Sequence, residues 1–453
     1  MNPHIFREYD IRGIAEKDLT DDVVEAIGRG FAAYLAARGR KRIAVGRDVR
    51  LSSLRIQEAL VRGLRDGGIH VVVVGVVPTP ALYFAIHHRS LDGGAMVTGS
   101  HNPIEYNGLK LSEGTSSLHG PELQEIRRLA ENPPPASGQG GREEAPILAE
   151  YGDALAERLR PARPLRVVVD AGNGTGGLAA PALYRRLGHT VEELYCEPDG
   201  RFPNHMPDPT IAESLASLRD RVLTSGADFG IAFDGDADRV GAVDDRGRIL
   251  YGDQLLALYA RDLLTRHPGA TVLTEVKSSR ALVEDIEAHG GKPIMWKTGH
   301  SLIKKKMRET GALLAGEMSG HIFFGEGYYG YDDALFAGGR LLQVVAAQRE
   351  PLSALVDSLP RYISTPEMRV DCPDDRKFAI VEELKRAFQG TGRIIDVDGV
   401  RVDFGDGWGL VRASNTQPVL VLRFEARTAD RLEEIKKLFV ERLRSYPEVR
   451  WTG

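Results

Sequence analysis

"RVVVDAG", residues 166–172, places three valines in a row before an aspartate and a glycine. An unbroken β-branched run of this length reads as a strand covered on both faces, the habit of parallel sheets. The same opening recurs as "RIAVGRD" at 42–48 and "TVLTEVK" at 271–277. A helical segment follows each, then a glycine-marked turn and a second strand: "DGGIHVVVVG" (66–75), "RLGHTVEELY" (186–195) and "AHGGKPIMW" (288–296). "GGAMV" (93–97), "DFGIAF" (228–233) and "GALLA" (311–315) supply a third strand to each set. Strands alternating with helices predict three similar α/β domains with mostly parallel, mixed sheets.

The last stretch follows another rule. "VRVDFGDGWGLVRASNTQPVLVLRFEA" (400–426) reads as strand, turn at Asp406-Gly407, strand, loop, strand. "TADRLEEIKKLFVERLRSY" (428–446) adds an amphipathic helix capped by Thr428. A smaller α+β domain with an antiparallel sheet is expected there. The second unit closes with a hairpin, "GAVDDRGRIL" (241–250), turning at Asp245-Arg246-Gly247, and "ENPPPASGQGG" (131–141) reads as a linker or surface loop. The expected domains are therefore 1–146, 147–248, 249–360 and 361–453.

Bulk properties exclude several classes. At 453 residues the chain exceeds one ordinary core, and 42% hydrophobic with 27% charged residues is a soluble globular composition. A formal net charge of −5 argues against a general nucleic-acid binder but leaves room for a basic pocket that takes small anions. Cys196 and Cys372 match no metal or redox spacing and fit a reducing compartment. "MNPHIFREYDIRG" (1–13) carries Glu8 and Asp10 where a signal peptide needs an apolar run. "IHVVVVGVVPTPALYFAIHH" (69–88), the longest uncharged run, is interrupted by Pro78 and Pro80 and reads as strand, turn and helix rather than a membrane span. A cytoplasmic protein without membrane or nucleic-acid partners is expected.

In open α/β sheets ligands bind beyond the carboxyl ends of strands. After the third strands stand "TGSHNP" (98–103), "DGDADR" (234–239) and "GEMSGH" (316–321), expected as walls of one central cleft. Asp234, Asp236 and Asp238 alternate, so three carboxylates repel one another unless a cation joins them. All-oxygen ligation suits Mg²⁺, Mn²⁺ or Ca²⁺. An EF-hand is excluded because Arg239 stands where its turn glycine belongs. Glu317, Ser319 and His321 would point one way in an extended loop, and carboxylate with hydroxyl suits vicinal sugar hydroxyls. "RASNTQP" (412–418) offers Arg412, Ser414, Asn415 and Thr416, the chemistry of a phosphate grip. Arg12, Arg47, Lys110 and Lys277 would complete an anion-binding cleft, with His300 a further substrate contact.

"GNGTGG" (172–177) satisfies G-x-G-x-x-G, with Glu192 and Glu193 some 20 residues on, and makes an NAD-dependent oxidoreductase the rival class. It opens the second unit and leaves the three aspartates unexplained. Ser100 lacks the G-x-S-x-G context of a hydrolase nucleophile, and adjacent His101 is poor geometry for its base. A phosphoserine fits better, since its added charge of about −1.5 to −2 needs the metal and cations nearby.

"FREYDIRG" (6–13), "TGSHNPIEYNGLK" (98–110), "FDGDADR" (233–239), "GEMSGH" and "RASNTQP" together resemble the α-D-phosphohexomutases over nearly the whole chain. The opening motif and the methionine of "GEMSGH" are most similar to the bacterial phosphomannomutase/phosphoglucomutase branch. The resemblance implies four domains, the last like TATA-binding-protein folds, around a central cleft. It implies a phosphoserine at Ser100, and Mg²⁺ on Asp234, Asp236, Asp238 and the Ser100 phosphoryl group. Glu317 and Ser319 would select sugar hydroxyls, while Tyr9, Arg239, Lys277 and His300 would touch substrate. Arg412, Ser414, Asn415 and Thr416 would hold the phosphate that is not transferred. Lys110 and His321, supported by Arg12 and His300, would move protons. The implied reaction interconverts hexose 1- and 6-phosphates through a 1,6-bisphosphate, which also acts as activator, in a monomer or small homo-oligomer. A phosphoglucosamine mutase is the nearest alternative, a sugar-phosphate-binding protein a more distant one. The "IFFGEGYYGYDDAL" segment (322–335) leaves mannose against glucose open.

Overall fold

The computed structural model describes residues 1–451 apart from Pro134, Ala136, Ser137, Asn415 and Thr416. The chain forms two compact units whose segments interleave: Met1–Tyr259 with Ser319–Asp357, and Ala260–Met318 with Ser358 onward.

The first unit holds two sheets. One runs Ile11–Ile14, Tyr106–Glu113, Gly93–Val97, Arg42–Arg47, His70–Val76 and Arg142–Glu144 in spatial order. The centre is parallel, and Tyr106–Glu113 is antiparallel to both its neighbours. Ile43, Val45, Val71, Val73, Ala95 and Val97 face helices Asp21–Ala36, Ser53–Asp66 and Pro121–Glu131 in one core. Because strand side chains alternate, Ala44, Val72, Val74 and Met96, also buried, take the other face. Helix Thr79–His88 lies against this sheet and is buried over its first eight residues. Segment 131–141 carries the chain on to Arg142–Glu144, which pairs parallel with the open edge of His70–Val76. Pro134, Ala136 and Ser137 of that segment lie outside the described residues.

The second sheet orders Ile249–Leu250, Val240–Asp244, Phe229–Phe233, Arg166–Asp170 and Thr190–Leu194. The last three are parallel, and the expected hairpin joins Val240–Asp244 to Ile249–Leu250. Helix Ala216–Ser225 covers one face. Helix Ala334–Ala346 arrives from far along the chain. Tyr184 donates its hydroxyl to Leu335 O at 2.9 Å, and Tyr259 donates to Ala337 O at 2.9 Å. Gly338 permits this contact, since a Cβ there would stand 2.2 Å from Tyr184 Oη.

The second unit contains the parallel strands Lys292–Trp296, Thr271–Glu275 and Leu314–Gly316, with helices Arg280–Ala288 and His300–Thr310. It also holds the antiparallel sheet Ile363–Ser364, Val419–Ala426, Gly407–Ala413, Val400–Asp403 and Arg393–Ile395. Helices Lys377–Ala387 and Ala429–Leu443 close one face of that sheet over an apolar core. Thr428 caps the second of them, accepting from Arg431 N at 3.3 Å. The turn expected at Asp406-Gly407 sits earlier. Gly405 takes the positive φ of +91°, while Gly407 already belongs to the strand. The other face is buried and mixes polar with apolar groups: Arg401 lies 3.7 Å over the Trp408 ring and donates to Val276 O and Ser278 O. Trp408 Nε1 donates to Glu425 at 2.7 Å, which also accepts from Arg280 N.

Candidate active site

Two of the expected loops meet in the first unit. Strand Gly93–Val97 delivers Ser100 and strand Phe229–Phe233 delivers the aspartates, as carboxyl ends of parallel strands do. Asp234, Asp236 and Asp238 are 0% exposed and Ser100 is 2% exposed. Ser100 Oγ lies 2.9 Å from Asp234 Oδ2, and Asp234 Oδ1 accepts from the Asp238 and Arg239 N–H groups at 3.1 Å. Ala237, at φ +54°, folds the aspartate loop back on itself.

Lys110 enters from strand Tyr106–Glu113. Its Nζ is 2.7 Å from Asp236 Oδ2 and also bonds Asp238 Oδ2. Thr79, at the start of its helix, donates its hydroxyl to Asp236 Oδ2 at 2.5 Å and its N–H to Asp236 O at 2.9 Å. Burial would discharge Lys110, but Asp236 and Asp238 outweigh it and hold the ammonium charged well above its ordinary range. Asp234 goes the other way, raised by burial and by the neighbouring Asp238 and Asp236 charges. Asp236 stays low despite burial because Lys110 and Thr79 bind its charged form.

The cluster fits a hard divalent cation. Each aspartate offers one oxygen, all within 4.8 Å of one another. Asp236 Oδ1 and Asp238 Oδ1 are buried with no hydrogen bond, an arrangement whose desolvation cost a cation removes. With all three carboxylates ionised, they and Lys110 sum formally to −2, the charge such an ion cancels.

His321 joins this unit. Arg239 Nε donates to His321 Nε2 at 3.1 Å, which places the ring proton on Nδ1, 3.1 Å from both Asp238 O and Asp332 Oδ2. The extended loop expected for Glu317, Ser319 and His321 is a turn at 318–319, followed by Gly320 at φ +97°. Glu317 belongs to the second unit, Ser319 and His321 to the first. His101 also corrects the sequence expectation. Ser100 has φ +48°, and its Oγ lies 3.0 Å from His101 Nδ1, because a left-handed residue cancels the up–down alternation of neighbours. Burial and the Arg239 and Arg12 charges keep this imidazole neutral, its pKa well below 6.5. Arg12 is 2.5 Å from Asp10, and Tyr9 stands three residues before Arg12 in the sequence. Arg47 reaches the carbonyl of Asp48.

The glycine-rich loop has a structural task. Gly172 and Asn173 take positive φ, and Thr175–Leu178 is a 3₁₀ turn, so the glycines do not open directly onto an α-helix. Thr175 N donates to Gly235 O at 3.0 Å, and a Cβ on Gly174 would stand 2.7 Å from that oxygen. Aspartate-loop backbone fills the space a pyrophosphate would need. Glu192 and Glu193 pair with Arg221 and Arg185 at the surface. The dinucleotide reading is thereby overturned.

The second unit carries its own polar loops. Glu317, 2% exposed, accepts from Gly299 N at 2.6 Å, next to His300 at the helix start. Lys277 pairs with Glu367 at 3.1 Å and Glu275 at 3.8 Å. Burial opposes charge on Lys277, yet those carboxylates raise its pKa, and Lys277 with Arg369 brings Glu367 to about 2. Arg412 contacts Asp398 at 3.1 Å, and Ser414 Oγ accepts from Gln417 N at 3.2 Å. Asn415 and Thr416 lie outside the described residues. Thr79, Asp332 and Glu275 were not singled out from sequence. Glu275 accepts from Thr298 Oγ1 at 2.5 Å and Met318 N at 3.2 Å, tying two loops together. Its signal was an acidic residue closing an apolar strand.

Four tandem stretches match the phosphoglucomutase/phosphomannomutase domains: alpha/beta/alpha domain I over 3–135, II over 149–247, III over 251–362, and the C-terminal domain over 367–442. The chain is 49% identical over 442 residues to a phosphomannomutase/phosphoglucomutase of Pseudomonas aeruginosa, covering 97% of this chain and 96% of the relative. It is 48% identical over 452 residues to a phosphoglucomutase of Neisseria gonorrhoeae, covering 99% and 98%. A crystal structure of a phosphoglucomutase/phosphomannomutase family protein from Burkholderia thailandensis superposes with a TM-score of 0.93 at 42% identity, covering 98% and 97%.

Proposed function

The chain belongs to the phosphoglucomutase/phosphomannomutase family and interconverts hexose 1- and 6-phosphates; we propose that Ser100 is the phosphoryl carrier of that exchange. The observation that carries this is Ser100 Oγ 2.9 Å from a fully buried aspartate triad with two unbonded oxygens. Asp234, Asp236 and Asp238 would hold Mg²⁺, which supplies neutralising charge to a phosphoryl group on Ser100. The free hydroxyl of a hexose monophosphate attacks the phosphoserine phosphorus, the Ser100 O–P bond breaks, and a 1,6-bisphosphate forms. After the sugar turns over, the other phosphoryl group returns to Ser100.

Side-chain chemistry divides the labour. His321 presents Nε2 as an acceptor toward Arg239, so it suits the base that takes the hydroxyl proton. Lys110 is held cationic, so it suits the group that stabilises or protonates the departing serine oxygen. Arg12 supports both. Tyr9, Arg239, Lys277 and His300 contact substrate, Glu317 and Ser319 read sugar hydroxyls, and Arg412, Ser414, Asn415 and Thr416 grip the second phosphate. Domain limits near 146, 248 and 360, priming by hexose 1,6-bisphosphate, and a cytoplasmic setting complete the proposal. No described helix is long and apolar enough to cross a membrane.

The test is ³¹P NMR of the protein with Mg²⁺, a trace of hexose 1,6-bisphosphate, and glucose, mannose or glucosamine 1-phosphate in turn. Conversion to the 6-phosphate with glucose or mannose, abolished in Ser100→Ala, is the expected result. Full turnover by Ser100→Ala overturns the carrier assignment; a marked preference for glucosamine moves the chain to the alternative specificity.

A further inference from the structure

Arg50, in "GRDVRLSS" (46–53), is 2% exposed although it carries a full charge. Its guanidinium is ringed by backbone carbonyls of one loop. Nη1 donates to Pro103 O at 2.7 Å and Tyr106 O at 3.0 Å; Nη2 donates to Ser100 O at 2.9 Å and Asn102 O at 2.5 Å. Four carbonyls from a seven-residue stretch, Ser100 through Tyr106, thus converge on one planar cation, which only an arginine fork can serve. Asp48 secures the base of the arrangement. Its Oδ1 accepts from Arg50 N at 2.9 Å and from Ser53 Oγ; its Oδ2 accepts from Thr98 Oγ1 at 2.8 Å and Gly99 N at 3.1 Å. Gly99 leaves the space required, for a Cβ there would stand 2.4 Å from Arg50 Nε.

Ser100 needs such support. Its φ of +48° lies in the left-handed region that disfavours a serine, so neighbours must impose it. A trans peptide sets C=O and N–H on opposite sides. Holding Ser100 O toward Arg50 therefore turns the His101 N–H away from the guanidinium. A Cβ on Gly235 would stand 2.5 Å from Ser100 O, so the aspartate loop packs directly on that peptide.

We infer that Arg50 is a positioning residue for phosphoryl transfer: it fixes the Ser100–His101 peptide so that Ser100 Oγ meets the aspartate triad. The inference rests on Ser100 as the carrier, and it assigns Arg50 no contact with sugar or phosphate. The expected signature is a loss in the transfer step with binding retained.

The experiment uses the whole enzyme with Mg²⁺. Arg50→Ala, Arg50→Lys and Gly99→Ala are compared with the parent for kcat, KM, glucose 1-phosphate affinity by calorimetry, Tm, and transfer from glucose 1,6-bisphosphate to Ser100 in a single turnover. A reacting atom displaced by an ångström costs about 10²-fold. Folded Arg50→Ala is expected to lose about that factor in kcat and in single-turnover rate, with KM and affinity within about twofold of the parent. Guanidinium added to Arg50→Ala restores part of the rate; Arg50→Lys remains slow because one ammonium cannot serve four carbonyls. Parental kcat in the folded Arg50→Ala enzyme overturns the inference, as does a loss confined to Tm. If Arg50→Ala does not fold, Gly99→Ala decides: slow transfer with intact binding supports the role, and parental transfer refutes it. A parent enzyme that never acquires phosphate on Ser100 refutes the carrier assignment instead, so the two failures are distinct.

Discussion

Replacing Lys110 with methionine should leave the protein less stable, less active and yet a better metal binder. Lys110 is buried against Asp236 and Asp238, with Asp234 adjoining. Removing one partner of a buried pair costs about 3–5 kcal/mol because the other charge is left unpaired. Lys110 serves two carboxylates, so the upper half of that range applies in metal-free protein, a fall in Tm of roughly 5–15 °C. The charges explain the metal effect. Counted formally, with all three carboxylates ionised, the site goes from −2 to −3 without a cation and from 0 to −1 with a divalent one. Mg²⁺ therefore relieves more in the variant and should bind at least about tenfold more tightly, about 1.4 kcal/mol. The pH response also inverts. In the parent, Asp236 has a depressed pKa, so its contribution is present above the unfolded value and is lost on acidification. In Lys110→Met burial raises that carboxyl, and the variant loses stability as pH rises through the folded pKa. Urea unfolding in EDTA and in Mg²⁺, with calorimetric Mg²⁺ titration, measures each term. Equal Mg²⁺ stabilisation of parent and variant, or an unchanged metal-free stability, would refute the reasoning.

Three further outcomes are expected. Arg412→Ala should raise KM with kcat near the parent, since one phosphate contact is lost in both half-reactions; a selective fall in kcat counts against it. Thr79→Val should cost roughly 1.5–3 kcal/mol of stability, the value of a hydrogen bond to a charged group, and Thr79→Ser should restore it in the same unfolding assay. Lys277→Met should raise the Glu367 pKa from about 2, with Arg369 still opposing burial, read by ¹³C NMR of the carboxyl. In the parent, Glu367 stabilises above the unfolded value and loses that contribution as pH falls toward 2; in the variant that pH dependence shrinks, and an unmoved carboxyl resonance would show that Lys277 is not the cause.

Local pattern carried much of this structure. The valine runs at 71–74 and 167–169 read as covered strands because their two faces are both apolar, and the Asp245–Gly247 hairpin was visible from its turn residues. The acidic cluster was legible because three carboxylates in five residues have few uses without a cation. Contacts set by pairing were not. Lys110 lies 126 residues from Asp236, and only the antiparallel insertion of Tyr106–Glu113 beside Gly93–Val97 brings them together. The Ser100–His101 contact turns on one positive φ, which residue type does not announce for serine. Arg50 was invisible because its partners are carbonyls, which every residue possesses.

Helix Ala334–Ala346 gives the interleaved chain a consequence for synthesis. The first 259 residues of the earlier unit leave the ribosome without the helix that Tyr184, Tyr259 and Gly338 receive. At about 5–20 residues per second, that apolar seat stays open for roughly 5–20 s while the intervening segment is translated. The nascent protein is thus obliged to wait, half-built and adhesive, for a piece encoded after the start of its neighbour. Any substitution that loosens this helix would act first on the yield of folded molecules and only afterwards on their activity.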